Sequence, residues 1–290
     1  MITNNYTNEQ YHALDSISKS GLDLIAKSPA HFKSKARFIG SDTARIGSAA
    51  HAFILESGKG VIVAPDIPRR SNADKEAWDT WFIHNGATHP IATSKDPKLP
   101  ADLWLPTFEQ QTGLLVVTES ERVAMSRMLE SVNTTAGDLL SGGKAEQSIL
   151  FDYMDVSCRV RPDYLSRDKH IIVDLKTTED ASERAFRQSC AKYRYHVQHA
   201  MYSTGYHVVN SVWPEFYFVV VEKKAPYLST VYRLNEDAVS HGIYLMDRDI
   251  QTYKDCIEAD DWPGYSNNLE LSIPIWDAPE IIENYAELVA

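Results

Sequence analysis

Two acidic residues and a lysine flank a short apolar run in the middle of the chain, and this arrangement constrains the fold most strongly. Residues 170–173 read His-Ile-Ile-Val, which predicts a buried strand, and Asp174 and Lys176 follow at its end. Because side chains alternate along a strand, Asp174 and Lys176 lie on the same side of it. Asp163 precedes the turn before this strand, where a hairpin can return it to Asp174. The sequence therefore predicts that two carboxylates and an ammonium group converge at one strand end.

The predicted convergence of charges indicates a metal site. Two adjacent carboxylates repel each other and raise each other's pKa. A divalent cation removes this conflict, and oxygen ligands favour Mg²⁺, with Mn²⁺ as the alternative. We expect Asp163 and Asp174 to bind the cation, with the carbonyl of Leu175 as a further ligand. Lys176 can then orient or deprotonate a water molecule, or neutralise a phosphate, and these parts suffice for phosphodiester hydrolysis. The alternatives are a pair of surface carboxylates and a structural salt bridge from Lys176.

A longer series of short segments carries a resemblance to a known family. The segments are Ser18-Lys19-Ser20, Gly47-Ser48-Ala49-Ala50-His51, Arg159-Val160-Arg161-Pro162-Asp163, Asp174-Leu175-Lys176-Thr177-Thr178, Tyr193-Arg194-Tyr195-His196-Val197-Gln198, Ala200-Met201-Tyr202-Ser203 with Gly205-Tyr206, and Asp261-Trp262-Pro263. In these segments the chain resembles the RecE (exonuclease VIII) type of phage recombination exonuclease, a branch of the PD-(D/E)xK nuclease superfamily. The resemblance covers most of the chain.

The resemblance implies site roles that the spacing alone does not assign. It makes His51 a metal ligand on a helix facing the active site, although a lone histidine of this kind is more often a core residue. It places Gln198 beside Lys176, near the scissile phosphate, where the alternative is a polar helix surface. Tyr202 lies on the same helix face as Gln198 and is either a DNA contact or a core residue.

Candidate DNA contacts lie near the front of the chain and beside the motif. Ser20 is predicted at a helix N-terminus, where free N–H groups bind phosphate, although an ordinary N-cap is the alternative. The resemblance adds Ser20 and Arg45 as contacts to a terminal 5′-phosphate, and Arg161 can neutralise the DNA backbone. Two further acids, Glu56 and Glu146, compete as metal ligands. We set both aside, Glu56 because five residues along a helix place it about 140° from the position of His51.

The distribution of charge bears on DNA binding. The chain has a net charge of −11, which is unusual for a DNA-binding protein. Residues 236–290 contain 13 acidic and two basic residues, so the rest of the chain is neutral. We therefore expect a DNA surface to come from the front of the chain and the motif region. With no apolar run near the ~20 residues of a membrane span and no signal-peptide pattern, we expect a cytoplasmic protein.

The order of predicted elements indicates an α/β or α+β fold in which helices flank a mixed central sheet. The resemblance implies that this is a PD-(D/E)xK restriction-endonuclease-like core. We predict successive antiparallel strands at 145–153, 156–161 and 170–175, a helix from Thr178 to about 191, and a second helix at 195–209. A strand buried on both faces follows at 216–221. We treat residues 1–290 as one nuclease domain. Its parts are a helical N-terminal part (1–57), an uncertain insertion (58–115) whose segment 90–106 is predicted to lie on the surface, a catalytic core (116–260) and an acidic tail (261–290).

The resemblance implies a Mg²⁺-dependent 5′→3′ double-strand DNA exonuclease that leaves 3′ single-stranded tails for recombination by strand annealing. It further implies that DNA ends thread a ring-shaped homo-oligomer, a tetramer, and that a RecT-like single-strand annealing protein is the partner. Two alternatives remain open. One is a RecB-like or restriction-type PD-(D/E)xK endonuclease, and the other is a DNA-binding module without catalysis, against which the intact motif argues.

Overall fold

A computed structural model describes residues 1–3, 6–34, 42–95, 98–266 and 270, with the backbone alone for residues 8–9 and 42–45. Most of the predicted acidic tail and the side chain of Arg45 lie outside it. The helices are α1 (Asn8–Ala13), α2 (Lys19–Lys27), α3 (Pro29–Lys33), α4 (Asp42–Leu55), α5 (Asn72–His84), α6 (Trp104–Thr112), α7 (Glu119–Ala136), α8 (Glu183–Lys192), α9 (Tyr195–Asn210) and α10 (Glu236–Ala259). The strands are β1 (Ile2–Thr3), β2 (Val61–Val63), β3 (Leu115–Val117), β4 (Lys144–Ala145), β5 (Ser148–Tyr153), β6 (Val156–Val160), β7 (Tyr164–Ser166), β8 (Ile171–Thr178), β9 (Glu215–Glu222) and β10 (Ser229–Tyr232). Within the described ranges, no helix combines the length and apolar character that crossing a membrane requires.

The central sheet has five strands in the order β10-β9-β8-β7-β4. β8 and β9 run parallel over eight residue pairs, whereas the other neighbours are antiparallel, so the predicted mixed sheet is confirmed. Side chains of β9 alternate between two cores: Phe218 and Val220 pack with α8–α10, and Val219 packs with α4 and α7 on the other face. This burial on both faces explains why β9 is an unbroken apolar run. Helices therefore flank the sheet on both sides, as predicted.

The predicted antiparallel series of three strands is correct for the pairing of the first two strands and wrong for the pairing of the second with the third. β6 pairs with β5 in a separate three-stranded sheet that also contains β1, whereas the short strand β7 forms the hairpin with β8. Pro162 lies between β6 and β7 and has no N–H to donate to a ladder, which accounts for the break. The predicted helix start at Thr178 is also wrong. Thr178 is still paired with Glu222 in the sheet, and α8 begins after Ser182, whose hydroxyl accepts from the Ala185 N–H at 3.4 Å.

The insertion at 58–115 contains a hydrophobic cluster of its own, built from α5, α6 and the parallel pair β2–β3. Side chains of β3 alternate, so that Val116 packs into this cluster and Val117 packs into the cluster beneath the central sheet. The prediction that 90–106 is a surface excursion is wrong at Ile91 and Trp104, which are buried in this cluster, whereas most other described residues of the segment are exposed. The reason is the buried carboxylate of Asp79, described next.

Asp79 is a buried acid on α5 that binds the proline-containing segment through backbone amides. Its Oδ1 accepts from the N–H groups of Ile91 and Ala92, each at 2.6 Å, and its Oδ2 accepts from the Thr93 N–H at 2.9 Å. These bonds satisfy the backbone donors of the buried residues Ile91 and Ala92, which would otherwise lack partners, and a third donor at the exposed Thr93. The segment therefore packs inward although its composition is typical of a loop.

His199, on α9, is expected to make the fold sensitive to mild acid. Burial, and then the nearby Arg233 charge, lower the pKa of His199 to about 4, and its Nδ1 finds no hydrogen-bond partner among the described residues. Its ring packs on Phe216 with the centroids 4.8 Å apart. An unfolded chain, with a histidine pKa near 6.5, binds the proton first, so stability falls as pH drops through the range from 6.5 to 4.

We expect the free energy of unfolding to fall by about 2 kcal/mol between pH 7.5 and pH 5 through this histidine. Urea denaturation of wild type and His199→Gln at both pH values measures the contribution, because glutamine does not titrate. His84→Gln, at an exposed position on α5, is the matched control and should keep the wild-type pH dependence. An equally steep acid loss in His199→Gln would contradict the assignment.

Candidate active site

The β7–β8 hairpin brings the two acids together. Tyr164 pairs with Val173, which places the preceding Asp163 opposite Asp174. The Asp163 Oδ2 accepts from the Leu175 N–H at 2.7 Å and lies 3.4 Å from Nδ1 of His51, which reaches across from α4. Asp174 is 1% exposed and therefore cannot be a surface carboxylate. The acids converge from one side of the sheet, as the spacing predicts.

Lys176 and Gln198 complete a closed polar triangle with Asp174. The ammonium of Lys176 contacts Asp174 Oδ1 and donates to Gln198 Oε1 at 3.0 Å, while the amide of Gln198 donates to Asp174 Oδ2. Gln198 is buried rather than on a polar helix surface. The ring of Tyr195 lies 4.5 Å from the Lys176 Nζ and holds the ammonium from another side. Each group is thus positioned by at least one other member of the triangle.

Burial and the neighbouring charges shift the pKa values of the two acids in opposite directions. Burial raises the pKa of Asp174 to about 6, with the Asp163 charge adding to the rise and Lys176 opposing it. Burial also disfavours the charged form of Asp163, yet His51, Lys176 and the Leu175 N–H together hold its pKa below the ordinary value. The same Asp163 charge raises the pKa of His51 against the effect of burial. Two desolvated carboxylates thus share one site, and a cation that binds there would favour the charged forms that burial disfavours.

A cavity of about 280 Å³ opens beside Asp163 and Gln198 and is bordered by the N-terminal turn of α2. Ser18, and not Ser20, is the N-cap of α2: its hydroxyl accepts from the Gly21 N–H at 3.3 Å. Ser20 follows two residues later, in the first turn of α2. Its Oγ lies 3.0 Å from that of Ser18, and it lines the cavity. The helix terminus predicted to bind phosphate thus lines the same cavity as Asp163 and Gln198.

The remaining residues predicted to contact DNA differ in how far their side chains are already held by hydrogen bonds within the protein. Arg161 lines the cavity, but its guanidinium donates to Ser148 Oγ at 3.0 Å and to the Tyr6 carbonyl at 3.3 Å. It is therefore held by the protein. Tyr202 is half-buried, lines the same cavity and hydrogen-bonds Gln198, so it belongs both to the core and to the site. Arg45 lies on α4, outside the described side chains.

Glu146 is a site residue whose location sequence analysis did not anticipate. It has a left-handed φ of 54° between β4 and β5, and its N–H donates to the Asp163 carbonyl at 3.2 Å. Burial, and then the Asp163 charge, raise the pKa of Glu146 to about 7, and its side chain lines the cavity. An isolated left-handed residue has no periodic pattern, so nothing in the local sequence indicated its position. The charge of Glu56, the other acid set aside, also raises the pKa of Glu146.

The residues fit a hard divalent cation. Among the described residues no group of three or more His, Cys, Asp and Glu side chains is arranged as a ready metal site. Mg²⁺, however, commonly uses one or two carboxylates and keeps several waters. Asp174 Oδ1 is buried and, within the described part, accepts no hydrogen bond apart from its ion contact with Lys176. That oxygen, which the Lys176 ammonium also contacts, is a suitable first ligand.

The mixed sheet, the hairpin acids and the strand-end lysine define a domain of the PDDEXK nuclease type. Residues 107–273 match the family described as a PDDEXK-like domain of unknown function (DUF3799), and the chain belongs to this family. Among solved structures, the fold is similar to that of a protein from Eubacterium rectale whose proposed activity is that of an exonuclease. The two are 10% identical, with 95% of this chain and 98% of the other covered and a TM-score of 0.53.

A second structure, SSO0001, is 13% identical over 74% of this chain and 88% of its own, and its TM-score of 0.26 is too low to support an argument. The comparison with curated proteins gives no match. The family and the fold are thus shown, while the reaction has to be argued from the site.

Proposed function

We propose that this protein hydrolyses DNA phosphodiester bonds with Mg²⁺ as cofactor and Mn²⁺ as the alternative. The observation that carries the proposal is that Lys176 contacts both Asp174 and Gln198 at the point where the hairpin places Asp163 opposite Asp174. Two carboxylates and a fixed ammonium group at one point are the parts that metal-assisted hydrolysis needs. Membership in a PDDEXK-like family supports the same reaction class.

Each residue then has a defined task. Asp163 and Asp174 hold the cation, and the Leu175 carbonyl and His51 are the proposed further ligands. When bound, the metal lowers the pKa of a water molecule and stabilises charge on the phosphate. Lys176 orients that water and neutralises the developing charge, while Gln198 fixes the direction of the Lys176 ammonium.

The finer proposal is a 5′→3′ double-strand exonuclease of the RecE type that leaves 3′ single-stranded tails for recombination by strand annealing. The sequence resemblance supports it, as does the proposed activity of the E. rectale protein. With it we propose a cytoplasmic ring-shaped homo-oligomer, a tetramer, acting on DNA ends together with a RecT-like annealing protein. A ring would reconcile DNA binding with the net charge of −11, because several weak basic edges add up along one channel.

Linear duplexes labelled at the 5′ or the 3′ end, together with a supercoiled circle, test the proposal in Mg²⁺ and in EDTA. We expect the 5′ label to be released at once as small products, the 3′ label to remain on a shortening strand, and the circle to stay intact. EDTA should stop all digestion. Cleavage of the circle would favour the endonuclease alternative. Binding without any hydrolysis would favour a DNA-binding module.

A further inference from the structure

A column of stacked aromatic rings runs from the core to the surface beside Lys176. Tyr195 stacks on the fully buried Phe218, with ring centroids 5.7 Å apart and planes 28° from parallel. Tyr193 stacks in turn on Tyr195, at 5.7 Å and 27°. Tyr193 is 49% exposed, so the column ends in solvent with an aromatic ring.

This column is attached to the catalytic groups at two points. The Lys176 ammonium lies 4.5 Å from the centroid of Tyr195, the middle ring. The backbone carbonyl of Tyr193 accepts a hydrogen bond of 2.6 Å from Lys19 Nζ, and Lys19 lines the catalytic cavity. Lys19 is itself held by Asp23 at 2.8 Å. The backbone of Tyr193 is therefore tied to a residue that lines the cavity, and its ring is tied through Tyr195 to Lys176.

Cations accompany the exposed ring. Lys192 Nζ lies 5.1 Å from the Tyr193 ring centroid, on an exposed side chain that can move toward a phosphate. Lys19 contributes a second ammonium on the cavity side. An exposed tyrosine alone means little. A stacked ring with one exposed lysine over it, however, matches the aromatic face and adjacent phosphate of a nucleotide in single-stranded DNA, provided that the lysine moves from the ring to the phosphate.

We infer that Tyr193 forms a base-stacking subsite, on which an unpaired nucleobase of the substrate stacks while Lys192 contacts an adjacent phosphate. The inference rests on the proposed function, since it places this nucleotide next to the one cleaved at Lys176. The subsite reads no sequence, because every base has a π-face. The subsite requires that a short segment at the end of the substrate is unpaired at the cavity. Stacking on Tyr195 and Phe218 keeps the Tyr193 ring in place before DNA binds.

Paired variants test the subsite. Tyr193→Leu retains bulk against Tyr195 without an aromatic face, Tyr193→Phe keeps the ring, and Tyr244→Leu changes an exposed tyrosine on α10. Duplexes with a short frayed end carry 2-aminopurine at the first, second or third nucleotide, and its fluorescence is read in Ca²⁺, followed by digestion kinetics in Mg²⁺. Thermal melting checks that every variant is folded.

We expect one labelled position to be quenched by wild type, Tyr193→Phe and Tyr244→Leu, but not by Tyr193→Leu. In Mg²⁺, Tyr193→Leu should raise KM about tenfold with little change in kcat. Unchanged quenching and KM in Tyr193→Leu would overturn the inference, as would an equal loss in Tyr244→Leu or no rescue by phenylalanine. If wild type fails to digest DNA, the proposed function fails, and the fluorescence arm still decides whether Tyr193 stacks a base.

Discussion

Replacing Asp174 by asparagine is expected to reduce Mg²⁺-dependent DNA hydrolysis by about a thousandfold or more while the protein remains folded. Asparagine has nearly the same shape, so its amide can still accept from Gln198, but the negative charge that holds the cation is removed. Folding should not suffer, since burial already raises the pKa of Asp174 to about 6 and disfavours its charged form. Single-turnover digestion of an end-labelled duplex measures the rate, and thermal unfolding checks the fold.

Asp168→Asn is the matched control, because it makes the same chemical change in the exposed turn before β8. It should digest DNA at the wild-type rate. Mg²⁺-dependent digestion by Asp174→Asn at the rate of this control would show that Asp174 does not hold the cation.

Replacing Asp79 by alanine is expected to lower the free energy of unfolding by about 3–4 kcal/mol. The carboxylate accepts from the N–H groups of Ile91, Ala92 and Thr93, and alanine leaves these donors without an acceptor in a buried place. Asp79→Asn should cost less, because its amide oxygen can still accept. Urea denaturation followed by tryptophan fluorescence measures the loss, since Trp78 and Trp104 belong to the same cluster.

Asp66→Ala, at an exposed position ahead of α5, is the control and should change stability by less than about 0.5 kcal/mol. A stability of Asp79→Ala within that range would mean that the 91–93 segment is held by packing alone.

The parts of the site that could be predicted from sequence depend on local periodicity. The apolar run before Asp174 fixed a strand, alternation placed Lys176 on the same side, and the turn length returned Asp163 to that side. The resemblance contributed Gln198 and His51, which the fold brings to the same point from α9 and α4. A two-residue period and a short hairpin suffice to predict such geometry, because neither depends on distant parts of the chain.

What could not be predicted depends on partners far away in sequence. Thr178 has the side chain of a helix cap, but pairing with Glu222 keeps it in the sheet. β5 and β6 leave the central sheet and form a separate sheet with β1, a partner from the start of the chain that local propensity does not reveal. Glu146 reaches the cavity through one left-handed residue. In each case a tertiary contact decides between local conformations that the sequence makes equally acceptable.

The alternation of Val116 and Val117 along β3 has a consequence for communication through the molecule. The two valines are adjacent in sequence, yet their side chains lie on opposite faces of the β2–β3 pair, which is only three residue pairs long. Val117 packs in the hydrophobic cluster that also contains Ala50, the neighbour of His51. Val116 packs in the tryptophan-rich cluster on the other side. Isotope labels on this one dipeptide would thus report separately on these two hydrophobic clusters.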